Sequence, residues 1–159
     1  MLQPISKILC PTDFSDPSLE AVKAAVELAK HFDAHLLLVH IVPAIPRPAW
    51  ADRLFEDRGA FEPDLSEYED ALRTCAQQKL YDVVKQHLPC TLESRVIVGE
   101  GDAANGIVSI AEDERVDMIV IATHGMSGWR QIAFGSVAER VVRLSSRPVL
   151  TVRAPREKL

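Results

Sequence analysis

Residues 123–137 form the stretch of the chain whose residue types best suit chemistry. Gly125 and Gly135 lack a side chain, so a ligand can approach the backbone closely at both positions. Ser136 and Val137 follow at the predicted start of a helix, where unpaired N–H groups and the positive end of the helix dipole favour an anion. The segment therefore has the properties of a phosphate-binding loop.

The same segment also permits a purely structural interpretation. Ser136 and Glu139 form the S-x-x-E pattern of a capping box, which satisfies the first N–H groups of a helix with side chains alone. His124 and Arg130 lie within the loop and would supply donor or positive groups beside a bound phosphate. Because short motifs often match by chance, the loop alone leaves phosphate binding and self-capping open.

A second polar group lies at the end of the first predicted strand, where Pro11, Thr12 and Asp13 follow an apolar run. A carboxylate accepts hydrogen bonds from ribose hydroxyls or a base, whereas it repels phosphate. The second strand ends at residues 39–41, where Ile41 offers an apolar wall for a base. Together with the loop, these residues suggest a nucleotide site. A local turn cap is the alternative role of Asp13.

The elements that must position these residues alternate along the chain. Apolar runs predict strands, and helical spacing of apolar residues predicts helices between them. This alternation predicts an α/β domain with an open, five-stranded parallel sheet covered by helices on both faces, whose ligand lies outside the carboxyl ends of the strands. The runs that begin near Lys7, His35 and Asp117 suit its centre, and the alternating 91–98 and short 148–152 suit its edges.

Local signals also predict the helix boundaries. Asp16 suits an N-cap with Pro17 as the first helical residue, and Asp102 suits a second N-cap. The longest helical pattern covers residues 67–87, and the last helix covers 136–144. The apolar stripe of the long helix consists of Tyr68, Leu72, Cys75, Ala76, Leu80, Val83 and Val84.

Length and composition indicate one soluble domain. The chain has 159 residues, of which 47% are apolar, and we expect a single domain over 1–154 with a tail at 155–159. The irregular segment 43–66 is long for a connection, so it either functions or is mobile. The net charge of −5 argues against nucleic acid as a partner.

The chain shows no sign of export or of membrane insertion. Met1 to Ser6 lack the pattern of a signal peptide, and the apolar runs are too short to span a bilayer. We therefore expect a cytoplasmic protein without membrane contact. Cys10, Cys75 and Cys90 are far apart, so we expect buried, reduced thiols rather than disulfides or a zinc site.

Several of these motifs together resemble the universal stress protein family. The first strand ends in PTDFS (11–15), and the second contains LVHI (38–41). The loop runs from ATHG (122–125) to GSVAE (135–139), and RPVLTV (147–152) follows. The resemblance covers nearly the whole chain except residues 43–66, where the family varies in length.

The resemblance implies a fold, a ligand and an assembly. The fold is Rossmann-like, of the adenine nucleotide alpha hydrolase-like type, with strand order 3-2-1-4-5, and members often form homodimers through the last strand, here Val149–Val152. Many members bind ATP, which we expect here together with Mg²⁺, through a glycine, two residues, a glycine, nine residues, and then Gly-Ser or Gly-Thr. The implied site residues are Pro11, Thr12, Asp13, Ile41, Ala122, His124, Gly125, Met126, Gly135, Ser136 and Val137.

Ala122 departs from the motif, because it replaces the first glycine and adds a methyl group where the backbone approaches the nucleotide. We expect an ATP-binding regulatory homodimer of the stress response. We do not expect an enzyme, because His124 is the one candidate general base near the phosphates. The alternative is a dimer of the same type that binds no nucleotide and acts through protein partners. Trp129, next to Arg130, suits a cover for the ligand or a docking point for a partner.

Other classes of similar fold fit less well. The loop after the first strand contains two acidic residues and no glycine, which is poor for the phosphate of a flavodoxin-like carrier. A receiver domain needs a phosphoacceptor aspartate in the middle strand and a lysine at the last strand, and no such set is evident. A hydrolase needs a nucleophile elbow, and no G-x-S-x-G occurs.

Overall fold

The computed structural model describes residues 4–44, 66–123 and 135–153, in which strands and helices alternate. The strands are β1 (Lys7–Pro11), β2 (His35–Val42), β3 (Ser94–Glu100), β4 (Met118–Ala122) and β5 (Val149–Val152). The helices are α1 (Asp16–Phe32), α2 (Ser66–His87), α3 (Ala103–Asp113) and α4 (Ser136–Leu144). Nearly all of the segment 43–66 lies outside the described residues.

The strands form one parallel sheet in the order β3-β2-β1-β4-β5. This result confirms the predicted fold class, the strand order and the assignment of central and edge strands. From β1 the chain winds through β2 to β3 on one side, and β4 then pairs with β1 on the other side. The winding direction therefore reverses between β1 and β4, where such sheets bind their ligands.

A hydrophobic core covers each face of the sheet. On one face, α1 and α2 pack against strand residues such as Leu36 and Leu38. On the other face, α3 and α4 pack against Leu37 and Val39. Because successive side chains of a strand point to opposite faces, this double burial explains why the β2 sequence is apolar without alternation.

The start of α1 differs by one residue from the prediction. Ser15, not Asp16, is the N-cap, and its hydroxyl accepts a hydrogen bond from the Ser18 amide at 3.4 Å. Asp16 is then the first helical residue, and Pro17 follows in the first turn, where a missing N–H group does no harm. The shift places Ser15 within reach of Asp13, whose carboxylate accepts from both the amide and the hydroxyl of Ser15.

Of the two interpretations of the α4 start that the sequence left open, the structure contradicts the capping box. Gly135 occupies the N-cap position, Ser136 is the first helical residue, and no side chain of the described residues caps this helix. The S-x-x-E pattern is thus displaced by one residue from the register that a capping box requires. The N-cap of α3 is confirmed, because Asp102 accepts a hydrogen bond from the Asn105 amide at 3.0 Å.

The expectation of buried thiols holds for one cysteine only. Cys10 is buried in β1, and burial raises the pKa of its thiol to about 12. Cys75 and Cys90 are exposed. The core-facing residues of α2 are Ala76, Leu80 and Val83, so the buried stripe is narrower than predicted and excludes Cys75 and Tyr68.

Candidate functional site

A cleft of about 330 Å³ opens at the carboxyl ends of β1, β2 and β4, beside the start of α4. Its volume lies at the lower end of the range of roughly 300–1,000 Å³ that is typical of small-molecule sites. Its described lining consists of Pro11, Thr12, Asp13, Ser18, Val39, His40, Ile41, Ala103, Ile107, Ile121, Ala122, Thr123, Gly135, Ser136, Val137 and Ala138.

The predicted site residues that the structure describes all line this cleft. They are Pro11, Thr12, Asp13, Ile41, Ala122, Gly135, Ser136 and Val137. The remaining predicted residues, His124, Gly125 and Met126, lie outside the described residues, as do Trp129 and Arg130. The fold therefore brings together side chains that are more than 100 residues apart in the sequence.

Asp13 forms the local turn that was the alternative interpretation of its sequence position, and it also lines the cleft. Its Oδ1 atom accepts hydrogen bonds from the Ser15 amide at 3.1 Å and from the Ser15 hydroxyl at 2.5 Å, which is a local turn. The same residue lines the cleft. Because an ionised carboxylate has two oxygens and about four acceptor positions, a turn of this kind is compatible with a further contact to a ligand.

A hydrogen-bond network beneath Asp13 fixes the loop that follows β1. The Thr12 and Ser18 hydroxyls lie 2.8 Å apart, and both residues are buried. The Thr12 hydroxyl also accepts from the Phe14 amide at 3.0 Å, while the Ser18 hydroxyl donates to the Ser15 carbonyl at 2.8 Å. Phe14 has a φ of 66°, which is rare for a bulky residue and persists only where the surroundings determine it.

His40 is a cleft residue that the sequence did not single out. Its Nδ1 atom lies 2.8 Å from the Thr12 carbonyl oxygen, which can only accept, so Nδ1 carries the proton. The ring stacks against Phe14 with 4.5 Å between centroids, and the Lys79 ammonium lies 5.6 Å from the Phe14 centroid. His40 thus connects the end of β2 to the loop after β1. An isolated histidine within an apolar run gives no signal of such a contact.

The apolar side of the cleft comes from β2 and α3. Val39 and Ile41 project from β2 toward the α3 side of the sheet, where they meet Ile107 in the core. Ala103, at the first position of α3, lines the cleft as well. Sequence reasoning found Ile41 but missed the contribution of α3, because only the fold brings the start of that helix next to β2.

The start of α4 forms the polar backbone side of the cleft. The Gly135 amide donates a hydrogen bond to the Thr123 carbonyl and thereby joins the helix start to the end of β4. Ser136, Val137 and Ala138 form the first turn, whose N–H groups have no partner within a helix. Such a turn favours an anion through its N–H groups and its dipole.

An ion pair joins the two helices that border the cleft. Arg140 of α4 donates to both carboxylate oxygens of Asp102 at 2.8 and 2.9 Å, and Asp102 caps α3. The hydrogen bond from Arg140 is the main reason why the pKa of Asp102 lies below its usual value, and it raises the pKa of Arg140. The pair thus holds the start of α3 beside α4.

Within the described residues, the structure contains neither a membrane-spanning helix nor a cluster of metal-binding side chains. No helix among these residues is long and apolar enough to cross a bilayer. Within the same residues, no group of three or more His, Cys, Asp or Glu side chains is arranged to hold a metal ion.

Parallel strands in this order, with a cleft at the switch point and a helix start beside it, define a Rossmann-like domain. The family model of the universal stress protein family matches residues 4–153. The chain therefore belongs to the universal stress protein family, as its motifs suggested.

Two archaeal proteins illustrate the similarity. The universal stress protein MJ0531 of Methanocaldococcus jannaschii is 36% identical over 155 residues, which cover 96% of this chain and 84% of the relative. The solved structure of the hypothetical protein MJ0577, from the same organism, has a TM-score of 0.72 and 28% identity. That alignment covers 98% of this chain and 100% of the other.

Two solved structures of similar fold are nucleotide complexes. One is a universal stress protein in complex with cAMP, with a TM-score of 0.58 and 24% identity over 94% of this chain and 98% of that chain. The other is the Archaeoglobus fulgidus universal stress protein in complex with dAMP, with a TM-score of 0.56 and 18% identity over 95% and 98%. At these identities the likeness concerns the fold.

Proposed function

We propose that this universal stress protein binds an adenine nucleotide, ATP with Mg²⁺, in the cleft and acts as a homodimeric regulator in the stress response. The observation that carries the proposal is the composition of one cleft: an acidic side chain, an apolar wall and a helix start that no described side chain caps. The complexes of fold relatives with cAMP and dAMP support an adenine nucleotide as the ligand class.

Each part of the cleft suits one part of the ligand. Asp13 would accept hydrogen bonds from ribose hydroxyls, and Ile41 with Ile107 would flank the base. The first turn of α4 would hold phosphate through its backbone N–H groups. Charge supports this orientation, because a carboxylate repels phosphate, whereas the N-terminal end of a helix attracts it.

Ala122 is compatible with this arrangement. It belongs to the core cluster on the α1 and α2 face, together with Val120 and Cys10. Its methyl group therefore packs mainly into that core, while the start of α4 lies on the other face of the sheet. This geometry argues that the alanine tolerates a nucleotide, although the family motif has a glycine at this position.

We further propose that the nucleotide is a regulatory ligand and not a substrate. Among the described residues of the cleft, Asp13 and His40 have the side chains that could act as a general acid or base. Both form hydrogen bonds within the loop after β1, Asp13 with Ser15 and His40 with Thr12. His40 lies at the end of β2, two strands from β4. ATP turnover that scales with protein concentration and disappears in Gly135→Asp would contradict this assignment.

The homodimer is proposed through β5. This strand lies at the edge of the sheet, and Leu150 exposes 40% of its surface. A bare edge strand exposes unpaired N–H and C=O groups that invite pairing, so a second β5 would satisfy them. Light scattering at micromolar concentration should give twice the chain mass of 17.6 kDa, and Leu150→Asp should lower it toward one chain. A single-chain mass for the unaltered protein would refute the dimer.

Calorimetry with ATP and Mg²⁺, combined with mass spectrometry of the denatured purified protein, tests nucleotide binding. A matched variant is Asp13→Asn, which keeps an oxygen for the Ser15 turn and removes the charge. We expect its affinity to fall on the order of tenfold, because hydrogen bonds to a charged group are worth about 1.5–3 kcal/mol. No heat of binding and no co-purified nucleotide would favour instead a dimer that acts through protein partners.

A further inference from the structure

Ile41 occupies an unusual space between two glycines on different elements. In the sheet, Ile41 of β2 pairs with Gly99 of β3. A Cβ atom at Gly99 would lie only 2.6 Å from the Cδ1 atom of Ile41, and one at Gly106 of α3 would lie 3.0 Å from the same atom. The tip of the Ile41 side chain therefore fills the room that both missing side chains leave.

Backbone conformation does not explain these glycines. Of the glycines in the described part of the chain, Gly101 has a positive φ, of 110°, whereas Gly99 and Gly106 have backbones that other residues adopt. Both lie inside regular elements, where glycine destabilises relative to alanine. Their shared consequence is the space for Ile41.

This space lies behind the wall of the cleft. Ile41 lines the cleft and is 9% exposed, whereas neither glycine is part of the cleft lining. A Cβ atom at Gly99 would also lie 3.0 Å from the Cδ1 atom of Ile110, which packs against the core from the side of α3. The side chain is thus held back from the cleft, and the volume that it would otherwise occupy remains open.

We infer that Gly99 and Gly106 form a seat for Ile41 that sets the depth of the cleft at its base-binding end. The inference rests on the proposed function, because it takes a purine base as the group that needs this depth. A methyl group at either glycine would push Cδ1 out of the seat. Close packing leaves the cleft as the open direction, so the side chain would enter it and shorten it.

Two alanine variants and one compensating change test the inference in the full-length protein. Gly99→Ala and Gly106→Ala should weaken the binding of both ATP and adenosine on the order of tenfold, as expected for overpacking. Gly99→Ala should have the larger effect, because its Cβ contact is closer. Ile41→Val removes Cδ1, and adding it to Gly106→Ala should restore most of the affinity. Added to Gly99→Ala it should restore only part of the affinity, because a Cβ atom at Gly99 also lies 3.0 Å from Ile110 Cδ1. Ser109→Ala is the matched control, since it adds an alanine to an exposed site on the same helix.

A second measurement, independent of ligand, is the ¹³C shift of the Ile41 δ1 methyl group, which depends on its rotamer. We expect it to move in Gly99→Ala and in Gly106→Ala but not in Ser109→Ala. An unmoved methyl group would overturn the seat. A moved methyl group with unchanged affinity for adenosine would overturn its role in depth. If the unaltered protein binds neither ATP nor adenosine, the proposed function and with it the role in depth fail, while the methyl shift still decides the seat.

Discussion

Replacing Gly135 with aspartate should stabilise the fold and abolish phosphate binding. Gly135 is the N-cap of α4 with φ −56° and ψ 142°, an extended conformation that other residues adopt readily. No side chain among the described residues caps the helix. An aspartate at this position can accept a hydrogen bond from the first turn, and its charge interacts favourably with the helix dipole. The same carboxylate would occupy the place proposed for a phosphate.

The expected gain in fold stability is smaller than the expected loss of binding free energy for phosphate. Relative to glycine, the new cap contributes a few tenths of a kcal/mol, and the charge contributes about 0.3–1 kcal/mol. A total of roughly 0.5–1.3 kcal/mol raises the Tm by about 1–5 °C in a chain of this length. Repulsion between unit charges about 4 Å apart reaches roughly 4 kcal/mol at an effective dielectric constant of 20. The affinity for ATP should therefore fall at least about 100-fold.

The assay combines thermal unfolding without ligand and calorimetry with two ligands. Gly135→Ser is the matched control, because serine caps a helix without a charge, so it should give a similar Tm and a smaller loss of affinity for ATP. Adenosine, which has no phosphate, should bind both variants and the unaltered protein alike. A folded Gly135→Asp variant with undiminished affinity for ATP would show that phosphate does not bind at α4. A lowered Tm would show that the helix start does not accept a cap.

Three further substitutions have defined outcomes. Ser136→Ala should change the free energy of unfolding by less than about 0.5 kcal/mol, because Ser136 is the first helical residue and not the N-cap. A loss of about 1 kcal/mol, measured by chemical denaturation, would contradict this prediction. The pKa of Asp102 is lowered by Arg140, so its contribution to stability is present above the unfolded pKa and is lost as the pH falls through the folded pKa. Asp102→Asn keeps a capping oxygen but removes the charge, so the unfolding free energy should fall less steeply as the pH is lowered. If the decrease at acidic pH is unchanged in this variant, the Asp102–Arg140 ion pair does not cause it. Ala122→Gly should change the affinity for ATP by less than about tenfold, as measured by calorimetry. A larger gain would show that its methyl group obstructs the ligand.

The central and edge positions of the strands were predictable because their determinants are local in the sequence, whereas the strand order was implied by the family resemblance. Strands buried on both faces have continuous apolar runs, and edge strands are short or alternate. This difference alone separates β2 from β3 and β5. The place of the cleft follows in turn, since Asp13 lies two residues after β1, Ile41 lies near the end of β2 and Gly135 directly precedes α4. Physical rules for parallel sheets then bring such positions together.

Helix starts were less predictable, because neighbouring residues offer competing caps. Ser15 and Asp16 are both good N-cap residues, and the choice depends on Asp13, which accepts from Ser15 and so fixes the residue before the helix. At α4, the choice between Gly135 and Ser136 depends on the bond from the Gly135 amide to the Thr123 carbonyl, a contact with the end of β4. Neither of these two hydrogen bonds can be predicted from the N-cap propensities of the residues.

Contacts between distant elements account for the residues that sequence reasoning missed. His40 gains its place through Thr12 and Phe14, 28 and 26 positions away, and Ile41 gains its seat from β3 and α3. In a continuous apolar run, no period indicates which face a residue occupies. The narrow stripe of α2 has the same origin, because the width of a buried stripe depends on how closely the helix approaches the sheet.

The two ends of the cleft should contribute differently to affinity. In the proposed complex, the Thr12–Ser18 contact and the packing of Ile41 against Gly99 and Gly106 fix the base end, so ordering it on binding should cost little. In the proposed complex, the phosphate end depends on the backbone N–H groups at the start of α4. Affinities for adenosine, AMP, ADP and ATP should therefore rise with each phosphate that reaches the helix start. If affinity stays constant from adenosine to ATP, recognition lies at the base end alone, and the glycine spacing of the loop serves another purpose.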